Sequence, residues 1–192
     1  SSRRLTGAEA AQRVLSANGV SGVRIERISG NLTDPYDPRT NVIRLSDGVY
    51  DNTSTAAIGV ACHEAGHAVQ YAQNYAPIKL RAAIIPVTNI GSKLAMPLIL
   101  IGLLLSYAAD VSYFFVYLGI ACFGLSLVFQ LVTLPVEFNA SQRAMAYMGQ
   151  IGLPAQERKG AFDVLRACAF TYLAAALTSI LQLLWLLGQR QE

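Results

Sequence analysis

Histidine is almost missing from this chain: 192 residues hold two, His63 and His67. Charge is also scarce. Asp, Glu, Lys and Arg make up 14% of the residues against 53% hydrophobic, a balance foreign to an ordinary soluble domain. The net charge is only +3, and no basic stripe with interleaved aromatics occurs, which excludes nucleic acid as a partner. Three cysteines are present, Cys62, Cys122 and Cys168, without a CxxC pair. Two of them lie inside apolar runs, which excludes a disulfide framework. The first residues carry no secretory signal pattern. They open on Ser1-Ser2-Arg3-Arg4, which reads as the cytoplasmic flank of a membrane segment.

What the chain does have is long apolar stretches among short polar ones. Leu5 to Ala17 predicts a helix, with Thr6 and Glu9 as a capping box, Leu5 and Ala10 as the flanking apolar pair, and Gly19 past its end. Val23 to Ile28 and Asn41 to Ser46 predict two strands that pair as a small β-hairpin across the turn-rich loop Asn31 to Thr40. Asp47 to Asn52 reads as a turn. A helix then runs to about Asn74, capped by Asp51, Asn52 or Thr53. Gly59 and Gly66 inside it cost about 1 kcal/mol each relative to alanine, so a close approach of another backbone or of a substrate is expected there, or simply tight helix packing.

Ile78 to Ile85 reads as a surface helix that Pro86 ends, and Ser92 to Ala109 as a first span broken early by Pro97. Asp110 and Ser112 mark an outer turn. Tyr113 to Leu134 holds no charge and gives about 33 Å of helix, enough to cross a bilayer. Beyond Pro135 a polar helical stretch reaches Gln150, and a loop at Gly149, Gly152 and Pro154 leads to a third span, Val164 to Leu187. The expected division is therefore 1–93, 94–135, 136–163 and 164–192, with the second and fourth parts in the membrane. Residues 1–93 carry ten Lys and Arg, and the loop after the second span carries Arg143, Arg158 and Lys159. Both therefore face the cytoplasm, and the turn at Asp110 and the C-terminus lie outside.

The two histidines stand in His63-Glu64-Ala65-Gly66-His67. On a helix, residues i and i+4 leave one face a turn apart, the spacing of two ligands of a tetrahedral zinc. Glu64 projects near that face and is placed to act as general base toward a metal-activated water. The alternative is a pair of hydrogen-bonded core histidines. Cys62 as a further ligand is disfavoured, since neighbours in a helix point about 100° apart. An even number of crossings returns the chain to the histidines' side at Glu137, whose carboxylate at the membrane boundary is costly without a partner. Glu137 completes two imidazoles and a carboxylate, the open arrangement of a catalytic zinc; its alternative is a first-turn helix carboxylate. Glu157 and Asp163 have no local pattern in their favour, and the ligand set alone does not exclude other divalent ions.

Several stretches together resemble the YugP-like family of integral-membrane neutral zinc metallopeptidases: Leu5 to Ala11, Asp34 to Thr40, Val42 to Tyr50, the HExxH block, Asn89 to Ser92, and Leu134 to Ser141. The resemblance implies a mainly α membrane protein with a zincin-like cytoplasmic region, the hairpin plus the HExxH helix, packed on about three transmembrane helices. It implies a segment before Ser1 carrying another span. It also implies one zinc ion held by His63, His67 and Glu137, with Glu64 catalytic, in a multi-pass protein of the bacterial plasma membrane whose active site faces the cytoplasm. Gluzincins such as HtpX, which the family resembles, place the third ligand in a Glu-x-x-Ala-Asp pattern. Here Ser141 replaces the aspartate, and a serine still accepts an imidazole hydrogen bond without the charge. The same comparison implies that the strand Asn41 to Ser46 receives substrate backbone as an added strand. Arg143, Tyr147 and Tyr36 are candidates for stabilising the transition state, with ordinary roles as a snorkelling cation and interfacial rings as the alternative.

The expected activity is hydrolysis of peptide bonds at the cytoplasmic membrane face, on membrane proteins or their exposed tails. Two rivals are a non-proteolytic zinc-containing scaffold or subunit of a larger membrane complex, with a closed four-ligand site, and a protease whose histidines sit deep in the hydrocarbon.

Overall fold

The structure, a computed structural model, describes residues 5–30, 35–105 and 109–188. The elements are α1 (Gly7–Ala17), β1 (Arg24–Ile28), β2 (Tyr36–Asp37), β3 (Val42–Ser46), α2 (Asp47–Tyr50), α3 (Thr55–Ala72), α4 (Ala76–Leu104), α5 (Ala109–Gln150) and α6 (Ala155–Gly188). They form two compact units, 1–78 with 136–169, and 79–135 with 170–192.

In the first unit, the expected capping box closes the start of α1. Glu9 N donates to Thr6 Oγ1 at 3.2 Å and Thr6 N to Glu9 Oε2 at 3.0 Å. Two of the four donors that a helix start leaves over are satisfied in this way. The buried stripe Ala10, Ala11, Val14 and Leu15 packs in one core with Ala57, Ile58, Ala61, Cys62, Ala65, Ala68 and Val69 of α3. Small residues dominate the shared face. The larger Leu15, Ile43 and Leu45 fill the remaining space, and each contributes about 1.5–3 kcal/mol by leaving water. Ala144 and Met148 of α5 and Ala161 and Leu165 of α6 complete the core.

The small sheet is present, with a strand the sequence did not announce. Its order is β1-β3-β2. The hairpin joins β2 to β3, with Tyr36 opposite Ile43 and Asp37 opposite Val42, whereas β1 and β3 run parallel from Arg24 and Val42 to Ile28 and Ser46. The segment from residue 29 to 41 is long enough for a parallel return. The expected loop is thus partly a strand; Asn31 to Asp34 lie outside the described residues. β3 is the central strand, buried on both faces, so the expectation that it receives a substrate strand is corrected. β1 pairs with it over its full length and β2 takes up Val42 and Ile43 on the other side.

Other boundaries move as well. Residues 47–50 are a short helix rather than a turn. The cap of α3 is Ser54, not Asp51, Asn52 or Thr53: its Oγ accepts from Ala57 N at 3.2 Å, while Asn52 Oδ1 accepts from Ser54 N at 2.8 Å. Pro86 does not end a helix, because α4 runs through both Pro86 and Pro97; likewise α5 runs through Pro135. An interior proline removes one ladder bond but leaves the chain free to continue, which apolar membrane helices tolerate. Asp110 and Ser112, expected in an outer turn, fall in the first turn of α5, and residues 106–108 lie outside the described residues.

In the second unit, α4 and α5 approach closely at small residues. A Cβ on Gly119 would stand 2.9 Å from Ala95 O, and Ser92 Oγ and Ser126 Oγ share a hydrogen bond of 2.8 Å. Small residues and hydroxyls at contacts suit helices packed in lipid. Leu100, Phe114, Leu131 and Trp185 stay exposed. Among the described residues, three helices, within 76–104, 113–150 and 155–185, are long and apolar enough to cross a membrane; α3 is not among them.

Candidate metal centre

α3 presents His63, Gly66, His67 and Gln70 at i, i+3, i+4 and i+7, one stripe of a helix. α5 answers with Glu137, Ala140, Ser141 and Ala144 at the same spacing. Gly66 brings the two stripes together, since a Cβ there would lie 3.2 Å from the Ala140 carbonyl oxygen. Another backbone is therefore what comes close at this glycine, while at Gly59 the neighbour is Ala161 of α6.

The imidazoles lie edge to face, with centroids 4.7 Å apart. His63 Nε2 is 3.1 Å from Glu137 Oε2 and His67 Nε2 is 3.7 Å from Glu137 Oε1. One ligand atom from each of the three residues lies within 4.8 Å of the others, and this is the one such cluster of three or more His, Cys, Asp or Glu among the described residues. Glu137 is only 7% exposed.

Each ring is held from behind at Nδ1, so that Nε2 faces the carboxylate. Ser141 Oγ stands 3.3 Å from His63 Nδ1, and Gln70 Oε1 stands 2.9 Å from His67 Nδ1. The separation of His67 Nε2 from Glu137 is too long for a hydrogen bond. A cation between them would suit both, and two neutral imidazoles with a carboxylate are the donor set of a zinc that keeps an open position. The residues fit one zinc ion.

Glu64 is half-buried, and its Oε2 accepts from the backbone N–H of Tyr36 in β2 at 2.9 Å. The Tyr36 hydroxyl donates to Asn41 Oδ1 at 2.6 Å, its ring lies 5.6 Å from that of Tyr71, and burial beside Tyr71 and Asp37 raises its pKa. Arg143 does not extend toward the cluster. Its Nε donates to Asn139 Oδ1 at 2.7 Å, its Nη1 to Gln73 Oε1 at 2.6 Å, and it lies 5.9 Å from the Tyr75 ring centroid. Tyr147 is buried in the apolar core, about 80° around α5 from Glu137. Cys62 is fully buried, and burial pushes its thiol up to about 12, unfit for a thiolate ligand. Glu157 lies in the first turn of α6 and Asp163 is exposed on it; neither joins the cluster.

The sequence reading missed Gln70 and Asn139. Gln70 is 0% exposed. Its Nε2 donates to Val136 O at 3.0 Å and to Asn139 Oδ1 at 2.9 Å. The available signal was its place on the histidine stripe, seven residues after His63.

A family model described as "Putative neutral zinc metallopeptidase" matches residues 1–191. A curated relative from Bacillus subtilis (strain 168), named "Putative membrane protease YugP", is 47% identical over 180 residues, 93% of this chain and 78% of the relative. No solved structure matches.

Proposed function

The chain belongs to the neutral zinc metallopeptidase family, and we propose that it is a multi-pass membrane protease that hydrolyses peptide bonds at one zinc site. The observation that carries the proposal is the convergence of His63, His67 and Glu137, with Glu64 one residue from the first histidine. His63, His67 and Glu137 would hold the ion. When bound, zinc supplies a Lewis acid that lowers the pKa of water and polarises the scissile carbonyl. Glu64 takes the proton of the attacking water and passes it to the leaving amine. The Tyr36 amide, donating to Glu64 Oε2, orients that carboxylate. Ser141 steadies His63 without adding charge.

The site belongs on the cytoplasmic face of a bacterial plasma membrane. Basic residues crowd residues 1–93 and the segment after the second span, and two crossings separate the histidines from Glu137. That assigns 1–93 and 136–163 to the cytoplasm and 94–135 and 164–192 to membrane passages. Membrane proteins or their exposed tails are the fitting substrates. A structural, non-proteolytic zinc site would call for a fourth protein ligand, and none joins the cluster among the described residues. Cleavage of casein or of a membrane-protein tail tests the proposal. Chelator should abolish cleavage and zinc restore it, and Glu64→Gln should bind zinc yet lose roughly two to four orders of magnitude in rate. Full activity in Glu64→Gln would defeat the mechanism.

A further inference from the structure

Gln70 is polar, completely buried and satisfied on every side, and its partners fix which way its amide faces. The Arg143 guanidinium only donates. Its Nε meets Asn139 at 2.7 Å, so the Asn139 atom there is the oxygen. That same oxygen lies 2.9 Å from the Gln70 amide, so Gln70 presents its NH2 group to it. The Val136 carbonyl, which only accepts, demands the same orientation independently at 3.0 Å. Gln70 Oε1 must then face His67 Nδ1, at 2.9 Å. A carbonyl oxygen only accepts, so in the neutral imidazole Nδ1 carries the proton and Nε2 presents its lone pair toward Glu137.

His63 is held differently. Its Nδ1 faces the Ser141 hydroxyl, which both donates and accepts and therefore serves either tautomer. One histidine is thus fixed and the other adaptable. Reversing the Gln70 amide would set its oxygen against two acceptors, and an unsatisfied buried polar group costs roughly 1–3 kcal/mol.

We propose that Gln70 is a positioning residue for the metal centre: the relay Arg143–Asn139–Gln70 locks His67 in the Nδ1–H tautomer, so that Nε2 is ready to take a zinc ion. Arg143, itself held by Gln73 and Tyr75, anchors the relay from outside the site. The inference rests on the metal-ligand reading of His63, His67 and Glu137.

The test uses the full chain in detergent, with zinc as the probe and two readouts other than activity. Nitrogen-15 NMR of metal-free protein labelled at histidine, at a pH where the ring is neutral, reads the tautomer directly, and His67 should show a protonated Nδ1 and a bare Nε2. Competition against a chromophoric chelator reads zinc affinity. Gln70→Leu and Arg143→Met should weaken it by roughly ten- to hundredfold, with Arg143→Lys recovering most of the loss by restoring a donor to Asn139. A neutral His67 that carries its proton on Nε2 in the wild-type protein would overturn the proposal even if the variants fail to fold. So would a cooperatively folded Gln70→Leu that binds zinc within twofold of wild type. Absence of zinc binding by the wild type would instead sink the metal-ligand reading, while the tautomer measurement would still decide the relay.

Discussion

Gly66 faces the backbone of Ala140 so closely that a Cβ on it would stand 3.2 Å from the carbonyl oxygen. Three residues before Ala140 lies Glu137, and on either side of Gly66 along the α3 stripe lie His63 and His67. The distance between the two helices here therefore sets the reach between imidazoles and carboxylate.

Substituting Gly66→Val should push α3 and α5 apart. Overpacking of this kind costs about 1–3 kcal/mol, more than the helix propensity gained by replacing glycine. The folded fraction should also bind zinc more weakly. Gly59→Val, which meets Ala161 instead, should destabilise the chain and leave the zinc affinity of the folded fraction unchanged. Thermal unfolding with a parallel zinc titration checks both variants. Equal loss of zinc affinity in the two would refute the local account.

Zinc should stabilise the wild-type protein and leave Glu137→Gln untouched. A ligand that binds only the folded state at a hundred times its dissociation constant adds about 2.7 kcal/mol. Differential scanning calorimetry with and without zinc reads the contrast. A zinc shift that survives in Glu137→Gln removes Glu137 from the ligand set.

Tyr36→Phe should change the rate of peptide hydrolysis by less than about threefold. The phenol is taken up by Asn41 at 2.6 Å, and what the residue gives Glu64 is its backbone N–H, which phenylalanine keeps. A drop of roughly a hundredfold or more would place the hydroxyl at the developing oxyanion. Steady-state kinetics on one peptide substrate decides between them.

The local features were legible in the sequence. The Thr6–Glu9 box, the i, i+4 histidines and the apolar spans all express themselves within one or a few turns, and Glu137 could be reached by counting crossings. What was not legible depends on distant partners. β2 is two residues long and shows no periodicity, so nothing local revealed that it, rather than β1, forms the hairpin with β3. Pro86 read as a stop and Pro135 as the edge of a span because local chemistry cannot say whether a helix continues past one missing bond. Gln70 gave no local signal of burial, because its amide is satisfied by Val136 and Asn139, 66 and 69 residues away.

The most direct test of a shared metal centre is anomalous diffraction at the zinc edge from crystals of the full chain. The account predicts a single peak bonded to Nε2 of His63, Nε2 of His67 and an oxygen of Glu137, each at about 2.0–2.2 Å. A peak that leaves Glu137 unbonded, or that takes a cysteine sulfur at about 2.3 Å, would contradict it.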